Sequence, residues 1–185
     1  MIRILATTGT EPVTLAETKE YLRVDHADED ALITSFIMAA RMKVERFTGL
    51  SLVAQTLQYQ VDTPSSDMTY SPWARRSITR ITLPIGPAVT ITGYADATGA
   101  ALDSSLFTWN AAACPTVIST TSTSVQAVTV TYTTGASMLT GDIKAGLLMF
   151  VHMLYTERGG MKDDGPSQMI EEVFLRNHRV LQGFA

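Results

Sequence analysis

The sequence is poor in the residues that build most reactive centres. It holds one cysteine, Cys114, so no internal disulfide can form and the chain suits a reducing compartment. Its three histidines, His26, His152 and His178, are widely separated, which excludes the close His and Cys spacing of a zinc site. Asp163-Asp164 beside Gly165 lacks the alternating ligands and closing glutamate of a calcium loop. A glycine-rich phosphate loop and a nucleophile elbow are both missing. No basic run exists; Arg75, Arg76 and Arg80 are the densest group and the net charge is −4, so phosphate gripping is not the main task. Apolar runs are short as well. The longest, Ala145 to Tyr155, contains His152 and falls well below the ~20 residues of a membrane span. The opening Met1-Ile-Arg-Ile-Leu-Ala is too soon interrupted for a signal peptide. These absences predict a cytosolically made, soluble protein with no catalytic residues, metal or cofactor.

The titratable candidates fit that expectation one by one. His26 lies between Asp25 and Asp28 with no nucleophile near it in sequence, and reads as a solvated turn residue. His152 sits in the most apolar helical stretch and reads as a core or interface histidine; His178, flanked by Asn177 and Arg179, reads as exposed. Cys114, between Ala113 and Pro115, has no base beside it and reads as a small apolar residue.

What is present is organised by charge density. Residues 1–52 carry fourteen charged side chains, residues 53–138 seven, and residues 139–185 eleven. The middle stretch is also rich in Thr and Ser and alternates with period two, whereas the outer stretches have helical periodicity. The expected fold is α+β: a helical bundle core of about four helices, contributed by 1–52 and 139–185, with an antiparallel β domain inserted at 53–138.

Within the first part, Thr14-Leu-Ala-Glu17 is a capping box that starts a helix running to about Arg23. A second helix begins near Asp28-Glu29-Asp30, carries Ile33, Phe36, Ile37, Ala40, Val44 and Phe47 at helical spacing, and ends at Gly49. Leu57, Tyr59 and Val61 alternate with polar residues as a half-exposed strand. Ile81 and Leu83 lead into Pro84-Ile-Gly-Pro87; Val89 and Ile91 resume a strand, Asp96–Gly99 is a turn, and Leu106–Trp109 is extended. Val128, Val130 and Tyr132 alternate with threonines in the clearest strand, after a Ser/Thr run at 119–124 that reads as a loop. Helix returns near Thr140, with Ile143, Leu147, Leu148, Phe150, Val151, Leu154 and Tyr155 covering more than one face. After a charged linker, 161–165, a last amphipathic helix presents Ile170, Val173, Phe174, Leu181 and Phe184, with Glu172 and Arg176 one turn apart. Such a helix either folds back on its own core or reaches into another subunit.

Three stretches carry a resemblance: Glu11-Pro-Val-Thr-Leu-Ala-Glu-Thr-Lys-Glu-Tyr-Leu-Arg-Val-Asp-His26, Asp28-Glu-Asp-Ala-Leu-Ile33, and Ala39-Ala-Arg-Met-Lys-Val-Glu-Arg-Phe-Thr-Gly49. They resemble the head–tail connector (adaptor) family of tailed phages, in its longer branch with a β insertion. Leu52–Thr56, Leu83–Val89, Val128–Gly135 and Asp142–Arg158 continue the pattern, so the resemblance spans roughly 11–160. Related subunits serve prophages and gene transfer agents. The resemblance implies a structural, non-enzymatic subunit of a homo-oligomeric ring, expected to be a dodecamer, at the virion neck after assembly in the host cytoplasm. Its partners would be the portal protein, a tail-side neck or stopper protein and, transiently and without sequence preference, double-stranded DNA; no membrane is involved. Ile170, Val173, Phe174, Leu181 and Phe184 are the expected partner interface. The alternative is a β-domain binding module for glycan or peptide on a helical stalk, which requires exposed aromatics among Tyr70, Trp73, Tyr94 and Trp109.

Overall fold

Thr14 accepts a hydrogen bond from the Glu17 backbone N–H at 3.2 Å while Glu17 accepts one from the Thr14 N–H at 3.0 Å, so the capping box opens helix α1 (Leu15–Leu22) as the sequence predicts. The computed structural model describes residues 1–61, 79–96, 98–120, 127–136, 139–157 and 165–180. They fall into two units: Thr10–Val53 with Ser137–Ala185, and Met1–Gly9 with Ala54–Ala136.

The first unit is helical. Arg23 ends α1 in the left-handed region at φ 59°, and α2 (Asp30–Thr48) stops at Gly49, whose φ of 74° suits a residue without Cβ. Helix α3 (Gly141–Thr156) follows in the same unit, and α4 (Gly165–Ile170) runs directly into a π turn, Glu171–Leu175, and a 3₁₀ turn, Arg176–His178. The core is built from Ile33, Ile37, Ala40 and Val44 of α2, Ile143, Leu147, Phe150 and Val151 of α3, and Ile170 and Leu175 of the last segment. Phe36 and Phe47, expected in the inner stripe of α2, are only partly buried at its margin. Among the described residues no helix is long and apolar enough to cross a membrane.

The second unit consists of two antiparallel sheets. Strands β1 (Ile2–Thr7), β2 (Gln55–Val61), β4 (Ala88–Ala95) and β7 (Val128–Thr134) form one, in the order β1-β2-β7-β4. Strands β3 (Thr79–Thr82), β5 (Phe107–Trp109) and β6 (Val117–Thr120) form the other, in the order β3-β6-β5. Both contribute to one core: Leu57, Val128, Val130 and Tyr132 from the first sheet meet Ile81, Phe107 and Ile118 from the second. The period-two pattern of β7 is obeyed along its length, with Val128, Val130, Tyr132 and Thr134 buried and the threonines between them half-exposed. Asp96 makes the expected turn by accepting from the backbone N–H groups of Thr98 and Ala100 at 2.8 and 3.0 Å, and Gly99 takes the positive φ of 85°. Four of the Ser/Thr residues at 119–124 lie outside the described residues; Ser119 and Thr120 end β6.

One strand was not foreseen. Residues 1–52 read as wholly helical in context, but Ile2–Thr7 pairs antiparallel with β2, Ile2 opposite Tyr59 and Thr7 opposite Gln55. Only Ile2 of its six residues is even half-buried, so the pairing rests on backbone hydrogen bonds to a partner some fifty residues away and not on an apolar alternation visible in six residues.

Candidate partner interface

The helical unit is tied together by charge as well as by its core. Arg41, four residues after Ile37 on the inner face of α2, donates from Nε to Glu11 Oε2 at 2.9 Å and from Nη1 to Glu45 Oε2 at 2.8 Å. The other oxygen of Glu45 accepts the Leu52 backbone N–H at 2.8 Å. The side chains of Arg41 and Glu45 are only 5% and 2% exposed. This cluster fastens the stretch before α1 and the stretch after α2 to the middle of α2. The guanidinium's fixed fork reaches the two carboxylates from separate nitrogens.

At the surface, Lys19 meets Asp30 and Lys144 meets Glu17, each at 2.6 Å, and the Tyr155 hydroxyl donates to Glu29 at 2.5 Å. Hydrogen bonds from Lys144 and then from the Thr14 backbone hold the Glu17 carboxyl at about 2, well below its ordinary 4.5. A depressed carboxylate pKa contributes stability above its unfolded value and loses it as pH falls through the folded one. The cap and the tie to α3 should therefore be intact above about pH 4.5 and weaken between there and about pH 2. Carbon-detected NMR titration should place Glu17 near 2, and Lys144→Ala should move it back toward the ordinary range. An unchanged Glu17 titration in that variant would contradict the assignment.

The last segment docks on α3 at a glycine. A Cβ on Gly146 would lie 3.2 Å from Leu175 Cδ2 and 3.3 Å from Phe174 Cβ, so only glycine allows this approach without displacement. Farther along, the Val180 N–H donates to Thr48 O at 2.8 Å, the Arg179 guanidinium lies 5.5 Å from the Phe47 ring centre, and Lys43 meets Glu171 at 3.2 Å. Of the expected interface residues, Ile170 is buried in the core of its own unit, Phe174 is partly buried against that core, and Val173 is 63% exposed. Leu181 and Phe184 lie outside the described residues. The sequence reading missed Leu175, which is fully buried, because a straight α-helix would turn it away from Ile170. The π turn, with its i→i+5 spacing, brings Leu175 under Ile170 and sends Val173 to solvent. Glu172 and Arg176 pair at 3.3 Å as predicted.

The other candidates are dispersed. His26 is solvated, 3.8 Å from Asp28. His152 is exposed and meets Tyr21 edge-on at 6.2 Å between ring centres, so of the expected core or interface placement the core is excluded. His178 is half-buried at 3.5 Å from Asp142. Cys114 is exposed and desolvation pushes its thiol up, the wrong direction for a nucleophile. Among the described residues no three His, Cys, Asp or Glu side chains are grouped to hold a metal. Nor do the two described candidate aromatics make a binding platform: Tyr94 is buried and stacked on Phe107 at 4.0 Å, and Trp109 packs against the β core. Tyr70 and Trp73 lie outside the described residues. What the helical unit offers is contact surface.

Residues 12–72, the segment that includes α1, α2 and β2, match the family model described as phage gp6-like head-tail connector protein. The fold is that of chains from gene transfer agent (GTA) particles. A chain from the neck of the native GTA particle, computed with C12 symmetry, is 21% identical with a TM-score of 0.65, over 100% of this chain and 98% of that one. A chain from the neck of the empty particle, computed with C6 symmetry, gives 21% and 0.64 over the same shares. A third, from the virion of the native GTA particle, gives 20% and 0.62 over 93% and 94%. No curated protein matches the chain. The resemblance read from residues 11–160 is thus met by the family model over 12–72, and by the neck chains in fold along the whole length.

Proposed function

We propose that this chain is a structural head–tail connector subunit that forms a ring at the neck of a phage-like particle, beneath the portal, and lines the passage for DNA. The family match at 12–72, joined to a fold shared end to end with neck chains, carries this reading. Ring contacts are heterologous, one face of a subunit meeting a different face of the next, and a closed rotation limits their number. A ring of twelve fits the C12 symmetry of the similar neck. The portal above, a tail-side neck or stopper protein below, and transient double-stranded DNA within are its partners, after assembly in the host cytoplasm. A net charge of −4 with no basic run suits a passage that DNA must not adhere to. The role is mechanical and requires no enzymatic step.

The exposed apolar surface made by Met169 and Val173 on the last segment, 55% and 63% exposed, supports a portal contact there. Ile170 and Leu175, buried beneath it, hold that surface in position. Truncation before Gly165 would strip the core, so the informative variant is Val173→Asp, which leaves the core untouched. It should reduce joining of the purified protein to portal-bearing, tailless heads by about tenfold or more, with an unchanged thermal midpoint. Joining at the wild-type level would remove Val173 from the portal contact.

A further inference from the structure

Helix α2 has a second face that its own unit covers only in part. Leu32, Phe36, Ala39, Lys43 and Arg46 recur at spacings of four and three, so they form one stripe, apolar in its first half and cationic in its second. Leu32 is 37% exposed, and Phe36 is half-buried. Beside the cationic half lies an open groove of about 520 Å³ lined by Ala39, Met42, Lys43, Arg46, Phe47 and Glu171. Lys43 is engaged with Glu171, but Arg46 is exposed and carries no ion pair among the described residues.

The same unit carries the complementary surface elsewhere. At the end of α1 and the turn after it, Glu20, Asp25 and Asp28 are exposed, as is Tyr21, which is 45% exposed with one edge against His152. Glu20 and Asp25 have no ion pair among the described residues, and only Arg23 is a cation in the stretch 20–28. One surface is thus a groove with the unpaired Arg46 at its edge, and the other an exposed stretch with an aromatic side chain and unpaired carboxylates. Two unlike, mutually complementary faces on one chain are what a heterologous contact requires, whereas a twofold dimer would need one face that complements itself.

We propose that the groove on the outer face of α2 receives the α1–α2 corner of a second copy of this chain, Tyr21 entering beside Ala39 and Met42 while Glu20 and Asp25 face Arg46. This rests on the ring reading and names the faces that close the ring. The test is sedimentation of the purified full chain across concentration, with circular dichroism to verify that each variant folds. Wild type should self-associate. Arg46→Glu alone, and Glu20→Lys with Asp25→Lys alone, should each weaken association at least about tenfold. Mixing the two variants should restore it, because the reversed groove then meets the reversed corner and the native faces meet each other. Wild-type association that neither variant disturbs, or that the mixture fails to restore, overturns these faces and leaves the ring intact as a reading. A wild type that stays monomeric at millimolar concentration also overturns the pairing; the ring itself is lost only if purified particles hold a single copy of the chain.

Discussion

Arg41→Ala should destabilise the helical unit by about 3–5 kcal/mol, the cost of leaving a buried charge without its partner. Glu45, 2% exposed, would lose the guanidinium while keeping the Leu52 N–H. Glu11 would suffer less, because at 29% exposure water can replace the lost donor. Glu45→Ala should also be costly, since it leaves the Leu52 N–H without its acceptor and the Arg41 guanidinium with Glu11 alone. Replacing the pair together, Arg41→Met with Glu45→Leu, should recover part of the loss, because apolar side chains of similar volume remove the desolvation cost along with the attraction, while the Leu52 N–H still lacks its acceptor. Urea denaturation followed by the helical circular dichroism signal measures all three. A drop under about 1 kcal/mol for Arg41→Ala, the range of a surface pair, would mean that the cluster is solvated.

Leu175→Ala should cost about 2–5 kcal/mol, as for other fully buried leucines, and the damage should be local at first. Leu175 is 0% exposed and packs over Gly146, so its loss removes the main apolar contact of the segment after α4 with α3. Hydrogen exchange at residues 165–180 should accelerate sharply while α1, α2 and α3 keep most of their protection. The comparison with Val173→Ala decides the helix phase. With the π turn in place that substitution should stay within about 0.5 kcal/mol, as for an exposed position. A costly Val173→Ala beside a neutral Leu175→Ala would show a straight α-helix instead.

These two sites also show where the sequence was legible. The capping box at Thr14, the stop at Gly49, the alternation of β7 and the turn at Asp96 are local, each set by residues within a few positions, and all were readable. Arg41 was half-readable. The spacing that places Ile33, Ile37, Ala40 and Val44 on the inner face also places Arg41 and Glu45 beside them, and charges on an apolar face call for a buried pair. That the third member is Glu11 depends on a contact thirty residues away. The π turn at Glu171–Leu175 has no comparable signal, because it arises from fitting Ile170 and Leu175 onto α3 at Gly146. The pairing of β1 with β2 was illegible for a related reason. An edge strand whose side chains are mostly exposed on both faces leaves no hydrophobic period to read.

The interface residues followed the same division. Ile170 was expected on an apolar side that meets a partner, but it is buried in the core of its own unit. Val173, one of its supposed neighbours on that face, is instead left on the surface with Met169. Placing a partner on the last segment therefore depends on the three-dimensional phase of the helix.

The most direct test of the connector reading is electron microscopy of particles assembled with and without this chain. With it, the necks should show a ring of this protein between portal and tail. Without it, DNA-filled heads and separate tails should accumulate unjoined. Normal tailed particles in its absence would contradict the account.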